Sequence, residues 1–230
     1  MSKGYLLLEG GAEFGGQMAD PDRRALELAG GVDIPLCILP TAAAPDNNHN
    51  RAGQNGKRWF ESLGARQVEV LPVIDRASAN LPENAAAIQH SRLVYLLGGF
   101  THYLGQTLSG SLCAEAMLQA YQDGAVLAGS SAGAMVLCQY YYHPGSGSVA
   151  QGLNYLPGTC FLPHHNTFGQ GWADRLAELL PEQILIGVDE QTGIMDDGPG
   201  GTWRVYGKGA ATIYRKGQAA VHHPGQSFSF

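Results

Sequence analysis

The chain is poor in charge and carries no concentrated patch of it. Only 15% of its 230 residues are Asp, Glu, Lys or Arg, against roughly 25% in an average globular protein. Fourteen basic residues face twenty acidic ones, for a net charge of −6, and no Lys/Arg block is longer than a pair such as Arg23-Arg24. The electrostatic footprint of a nucleic-acid partner is missing. Long apolar runs are missing too: the stretch from Gly124 to Tyr142 is interrupted by Ser130, Ser131 and Gln139, and the run after Met1 is too short for a secretory leader. These absences predict a cytoplasmic protein without a membrane partner. The four cysteines, Cys37, Cys113, Cys138 and Cys160, form no CxxC pair, which argues against a disulfide framework or a zinc site and for reduced, buried thiols. The histidine pairs lack ligand spacing as well, so neither metal nor cofactor is expected.

Glycine, by contrast, is in excess. Thirty-two glycines are about twice the usual share of ~7%, and they follow no third-residue period, which excludes collagen. With 44% hydrophobic residues, the length suits one domain, residues 1–230, of about 100–250 residues with a full core.

Short apolar runs alternate with helical patterns, the signature of βαβ units around a mostly parallel sheet flanked by helices. Strands are predicted at Tyr5–Leu8, Pro35–Leu39, Val68–Val73, Leu93–Leu97 and Ala125–Leu127, and helices at Asp22–Ala29, Asn55–Ser62 and Ser111–Tyr121. After Leu180 the texture changes. Ile184–Gly187, Thr192–Met195, Thr202–Tyr206, Ala211–Tyr214 and Gln218–Val221 read as closely spaced strands, a C-terminal antiparallel β extension of an α/β fold.

One motif carries chemistry. Gly129-Ser130-Ser131-Ala132-Gly133 matches G-x-S-x-G, preceded by an apolar strand and followed by the start of an apolar helix. In such a turn the nucleophile's backbone is strained, and its neighbours at −2 and +2 must be tiny. Ser131 has those flanks and Ser130 does not, so Ser130 reads as a turn residue. A serine needs a base, and the base an orienting acid. Asp and Glu are absent between Asp123 and Asp174, which leaves Asp189 and Glu190, at the exit of a predicted strand, as the best acids. The base is left open between His164, in the loop Pro163-His164-His165-Asn166-Thr167, and His222 or His223, which would give the α/β-hydrolase order. His143, beside Tyr140–Tyr142, reads as structural. The turn at Gly98-Gly99 can approach substrate and donate an N–H to an oxyanion. The turn from Gly10 to Gly16 lacks both the dinucleotide spacing and a P-loop lysine.

These residues resemble the serine peptidase family that contains aspartyl dipeptidase (dipeptidase E) and cyanophycinase. The likeness is carried by Gly129–Ala134, by Leu97-Gly-Gly-Phe-Thr101, by Gly152–Pro157 with Pro163-His164, and by Gly187-Val-Asp-Glu-Gln-Thr192. It implies a fold similar to class I glutamine amidotransferases and flavodoxins, with Ser131 as nucleophile, His164 as base and Glu190 as acid. From loop position, the N–H groups of Gly99 and Ala132 are expected to form the oxyanion hole, and Gly98, Phe100, Thr101, His165 and Arg175 are expected to contact substrate. The expected substrate is a small peptide, with an acidic residue next to the scissile bond as one option and Arg175 as its partner. A homodimer is compatible with this reading. Two departures stand out: Phe100 occupies a place where the family usually has Asn, and Arg175 alone remains where cyanophycinase has several arginines. The alternatives are an α/β-hydrolase-type esterase using Ser131 with His222 or His223 and, from another class, a small-molecule-binding module of the same fold without turnover.

Overall fold

The computed structural model describes residues 3–230; Met1 and Ser2, where the expected domain begins, lie outside the described residues. Five short strands, β1 (Tyr5–Glu9), β2 (Pro35–Leu39), β3 (Gln67–Val70), β4 (Leu93–Leu96) and β5 (Val126–Ser130), run parallel in the order β1-β5-β4-β2-β3. Every residue of β4 and β5 is buried. Strands covered on both faces bury side chains in both directions, so they read as continuous apolar runs instead of alternating ones. Helices α1 (Ala19–Ala29), α2 (His49–Ser62), α3 (Pro82–His90), α4 (Thr101–Leu108) and α5 (Leu112–Gln122) supply the crossovers. Helix α5 is capped by Ser111, whose hydroxyl accepts from the N–H of Ala114 at 3.1 Å.

The expected C-terminal strands form, but they divide between two sheets. Strands β10 (Thr192–Met195), β11 (Trp203–Gly207) and β14 (Ser227–Phe228) extend the first sheet antiparallel from β1, giving it eight strands. Strands β9 (Ile184–Val188), β12 (Ala211–Arg215) and β13 (Gln218–His222) join a second, six-stranded sheet with β6 (Cys138–His143), β7 (Ser148–Gln151) and β8 (Leu156–Leu162), in the order β13-β12-β9-β8-β6-β7. Sequence periodicity missed β6, β7 and β8. Helix α6 (Ala132–Leu137) passes directly into β6 without a punctuating turn residue, so the whole stretch reads as one apolar run.

A continuous hydrophobic cluster runs from Leu6, Leu8 and Leu127 of the first sheet to Cys160, Phe161 and Ile186 of the second. All four cysteines are buried and free. Among the described residues no helix is long and apolar enough to cross a membrane.

Candidate active site

The two sheets deliver different parts of one site. In the first, β1, β5 and β4 are neighbours, and the pairings Glu9 with Ser130 and Leu96 with Gly129 align their carboxyl ends. The Gly10–Gly16 turn, the Ser131 turn and the Gly98-Gly99 turn therefore emerge side by side, as expected at the carboxyl edge of an open parallel sheet. In the second, β8 and β9 are parallel neighbours, with Leu162 opposite Gly187. The residues just beyond them, His164 and Glu190, emerge together. Two backbone hydrogen bonds join these edges: His164 N–H donates to Gly10 O at 2.7 Å and Gln191 N–H to Gly11 O at 3.0 Å.

Ser131 sits between β5 and α6 with φ 48° and ψ −109°, a backbone state that stores of order 1–3 kcal/mol of strain and persists only where its surroundings enforce it. The flanking glycines explain how the turn closes. A β-carbon on Gly129 would lie 2.5 Å from the carbonyl carbon of Gly133, and one on Gly133 would collide with the carbonyl oxygen of Leu96. Ser131 N–H donates to Glu9 O at 3.0 Å, which fixes the turn against β1.

The Ser131 hydroxyl lies 3.1 Å from His164 Nε2, and His164 Nδ1 lies 2.8 Å from Glu190 Oε1. Both contacts are satisfied by the tautomer with its proton on Nδ1, donated to the carboxylate, so that Nε2 accepts from the hydroxyl. His164 itself has φ 49°, and its ring is stacked on Phe168 at 4.8 Å. Thr167 Oγ1 donates to His164 O at 3.0 Å and Glu190 N–H to Asn166 Oδ1 at 2.9 Å, which tie the histidine loop to the strand carrying the carboxylate. The N–H groups of Gly99 and Ala132 donate to no acceptor among the described residues. Such an arrangement can remove the hydroxyl proton and offer unpaired N–H groups to an oxyanion.

The alternative histidines lie elsewhere. His222, at the end of β13, stacks on Phe228 at 4.6 Å, and His223 is exposed. Asp189 turns away from His164: its Oδ2 accepts the Ala210 N–H at 2.9 Å and its Oδ1 lies 3.7 Å from His165 Nδ1. His165, expected to touch substrate, is instead buried behind the site against Gly187, with Nε2 2.8 Å from Tyr214 Oη. Burial lowers its pKa, partly offset by Asp189. Arg175 lies on the surface of α7 (Ala173–Leu179), pairing with Glu178 at 3.0 Å with its side chain about half exposed. It is not among the residues lining the cavity beside Ser131.

An aromatic cavity of about 670 Å³ opens beside Ser131, lined by Gly99, Phe100, Thr101 and also by Tyr103, Met135 and Trp172. His143, read as structural from the sequence, lines it too, its ring stacked on that of His102 at 4.3 Å with 8° between planes. Sequence reasoning had no signal for this pair, because α4 and β6 meet only in the folded chain.

The acid groups under the turn were also missed. Glu9 and Asp22 are completely buried and close enough for the charge of Asp22 to act on Glu9. Tyr95 Oη donates to Glu9 Oε2, and Trp59 Nε1–H donates to Asp22 Oδ2 at 2.7 Å. The remaining oxygens, Glu9 Oε1 and Asp22 Oδ1, are buried with no hydrogen-bond partner among the described residues, which favours the protonated, neutral carboxyl. Burial, reinforced by Asp22, holds Glu9 well above the usual carboxylate range, and burial pushes Asp22 up to about 7. Glu13 stands nearby, its Oε2 accepting from the Ser130 hydroxyl at 2.9 Å, so Ser130 is a buried strand residue engaged away from His164.

The family model of peptidase family S51 matches residues 6–200. The chain belongs to that family. It is 29% identical over 228 residues to the cyanophycinase of Synechococcus elongatus, covering 92% of this chain and 68% of that one. The crystal structure of a peptidase from an acI-B1 Actinobacterium superposes with a TM-score of 0.87 at 29% identity, over 99% of this chain and 97% of that one. A putative peptidase E of Listeria monocytogenes EGD-e shares the fold, with a TM-score of 0.67 at 18% identity over 90% and 100% of the two chains. As an S51 member the chain is a serine-type peptidase with the flavodoxin-like, glutamine amidotransferase-like α/β fold expected from its sequence.

Proposed function

We infer that this S51 peptidase hydrolyses small peptides through a Ser131-His164-Glu190 triad and an acyl-enzyme. The continuous contact from Ser131 Oγ through His164 to Glu190 Oε1, at 3.1 and 2.8 Å, carries this reading. Ser131 attacks the scissile carbonyl while His164 Nε2 takes its proton. The new C–O bond converts the carbonyl oxygen to an oxyanion, which the N–H groups of Gly99 and Ala132 stabilise. Collapse of this intermediate breaks the C–N bond as His164 returns the proton to the leaving amine. Water, deprotonated by the same imidazole, then releases the acid product. Glu190 holds the ring in its productive tautomer and favours the imidazolium formed at each transfer.

The hydrophobic cluster common to both sheets supports treating residues 1–230 as one peptidase domain. The surface ion pair of Arg175 gives no support to an acidic-substrate preference.

The test is treatment with a fluorophosphonate followed by peptide mass mapping. Modification of Ser131, absent from Ser131→Ala, is expected. Modification of Ser130 or another residue, or none, overturns the assignment.

A further inference from the structure

We propose that the cavity beside Ser131 selects a peptide whose residue next to the scissile bond carries a neutral, bulky apolar or aromatic side chain. This rests on the peptidase reading above and goes beyond it by naming the substrate class.

The first argument is the character of the lining. Among the residues facing the cavity there is no Asp, Glu, Lys or Arg; those that can ionise are His102, His143 and Tyr103, besides the Ser131 hydroxyl. A carboxylate or guanidinium entering here would give up water with no opposite charge to receive it, which is strongly unfavourable.

The second is apolar surface left in water. Phe100 and Phe168 are 50% and 55% exposed, and both face this cavity. Phe168 continues into Trp172, ring centroids 5.4 Å apart, and Trp172 into Tyr142 at 5.3 Å, so the aromatic wall is anchored in the core while its outer face is uncovered. Met135, one helical turn beyond Ser131, supplies an adaptable thioether, held by Thr101 Oγ1 at 3.4 Å.

The third is the histidine part of the lining. His102 and His143 stack nearly parallel, and the Nδ1 atom of each is engaged, with Tyr141 Oη at 3.1 Å and with Ser146 Oγ at 2.9 Å. These bonds fix the imidazoles as a flat surface. At about 670 Å³ the space falls within the range of ordinary ligand pockets, roughly 300–1,000 Å³, and has room for a phenyl group.

Binding measured without turnover separates this proposal from the catalytic one. Ala-X-Ala tripeptides with X as Phe, Leu, Asp or Arg are titrated calorimetrically into Ser131→Ala at pH 7.5. Phe and Leu peptides are expected to bind about tenfold more tightly than Asp and Arg peptides, from burial of the apolar side chain. Adding Phe100→Ala or Phe168→Ala, each half exposed to water, with folding checked by circular dichroism, should shrink that preference severalfold. Equal affinities, tighter binding of the Asp or Arg peptide, or no binding of any peptide overturns the proposal. Fluorophosphonate modification of wild-type Ser131 reports independently on the catalytic reading, so either can fail alone.

Discussion

Gly11 lies against the face of the His164 imidazole, so close that a β-carbon on it would stand 2.6 Å from Nε2 and 2.8 Å from Nδ1. Its φ of +114° is also one that an L-residue rarely adopts. Gly11→Ala is therefore expected to displace the ring from Ser131 and to lower kcat/KM by about 100-fold or more, since misplacement of a catalytic group by about 1 Å costs that much. Peptidase kinetics alongside a melting curve check this. The loss in kcat/KM should far exceed what any drop in Tm explains, and full activity would show that His164 does not need its present position.

Glu190→Gln should preserve shape while removing the negative charge that holds His164. A fall in kcat of about 10²- to 10⁴-fold is expected, with KM little changed, because the lost interaction strengthens as the imidazolium forms. Stopped-flow measurement of acylation separates this from a binding defect. The same experiment on His164→Ala should give a loss at least as large.

Ser130 is the hydroxyl next to the nucleophile, and its bond to Glu13 keeps it from His164. Ser130→Ala is expected to leave fluorophosphonate modification of Ser131 intact and to cost less than about tenfold in kcat/KM, with a stability loss of about 1 kcal/mol from the missing hydrogen bond. Loss of labelling in this variant would move the nucleophile to Ser130.

The buried Glu9 and Asp22 carboxyls predict how stability varies with pH. The ordinary pKa of 3.8 for Asp22 is pushed up to about 7 by burial, and Glu9 is raised by the same cause. The folded protein thus holds a proton that the unfolded chain releases from about pH 4 upward. Their contribution is most favourable below that point and is lost as pH rises towards about 7 and beyond. Urea midpoints measured between pH 4.5 and 8 should decline with pH, and Asp22→Asn should flatten the decline. A residual slope is expected from Asp196, which burial raises to about 6 despite the 2.6 Å bond from Leu6 N–H. An unchanged slope in Asp22→Asn would rule out a raised Asp22 as its source.

The central strands were legible because each is buried on both faces and flanked by turn residues. Leu93–Leu97 and Pro35–Leu39 needed only their own apolar runs. The second sheet was not: β6 follows α6 with no break, and Ser148–Gln151 is exposed and polar enough to read as loop. The site divides in the same way. Gly129, Ser131 and Gly133 lie within five residues, where local sterics link them, so sequence alone marked the turn. Glu190 could be placed at a strand exit and His164 in a loop, but the resemblance to a family was needed to choose them over His222, His223 and Asp189.

The sequence by itself determined the strand-turn-helix around Ser131 and the chemistry that its small flanks permit, because a strained turn of five residues depends on its own atoms. Tertiary structure alone decided which imidazole reaches the hydroxyl, that His165 faces Tyr214 and Arg175 faces solvent, and that Glu9 and Asp22 meet under the site. Those outcomes depend on how two sheets align their edges, bringing together residues far apart in the chain. Packing creates that proximity, and the local sequence carries no record of it.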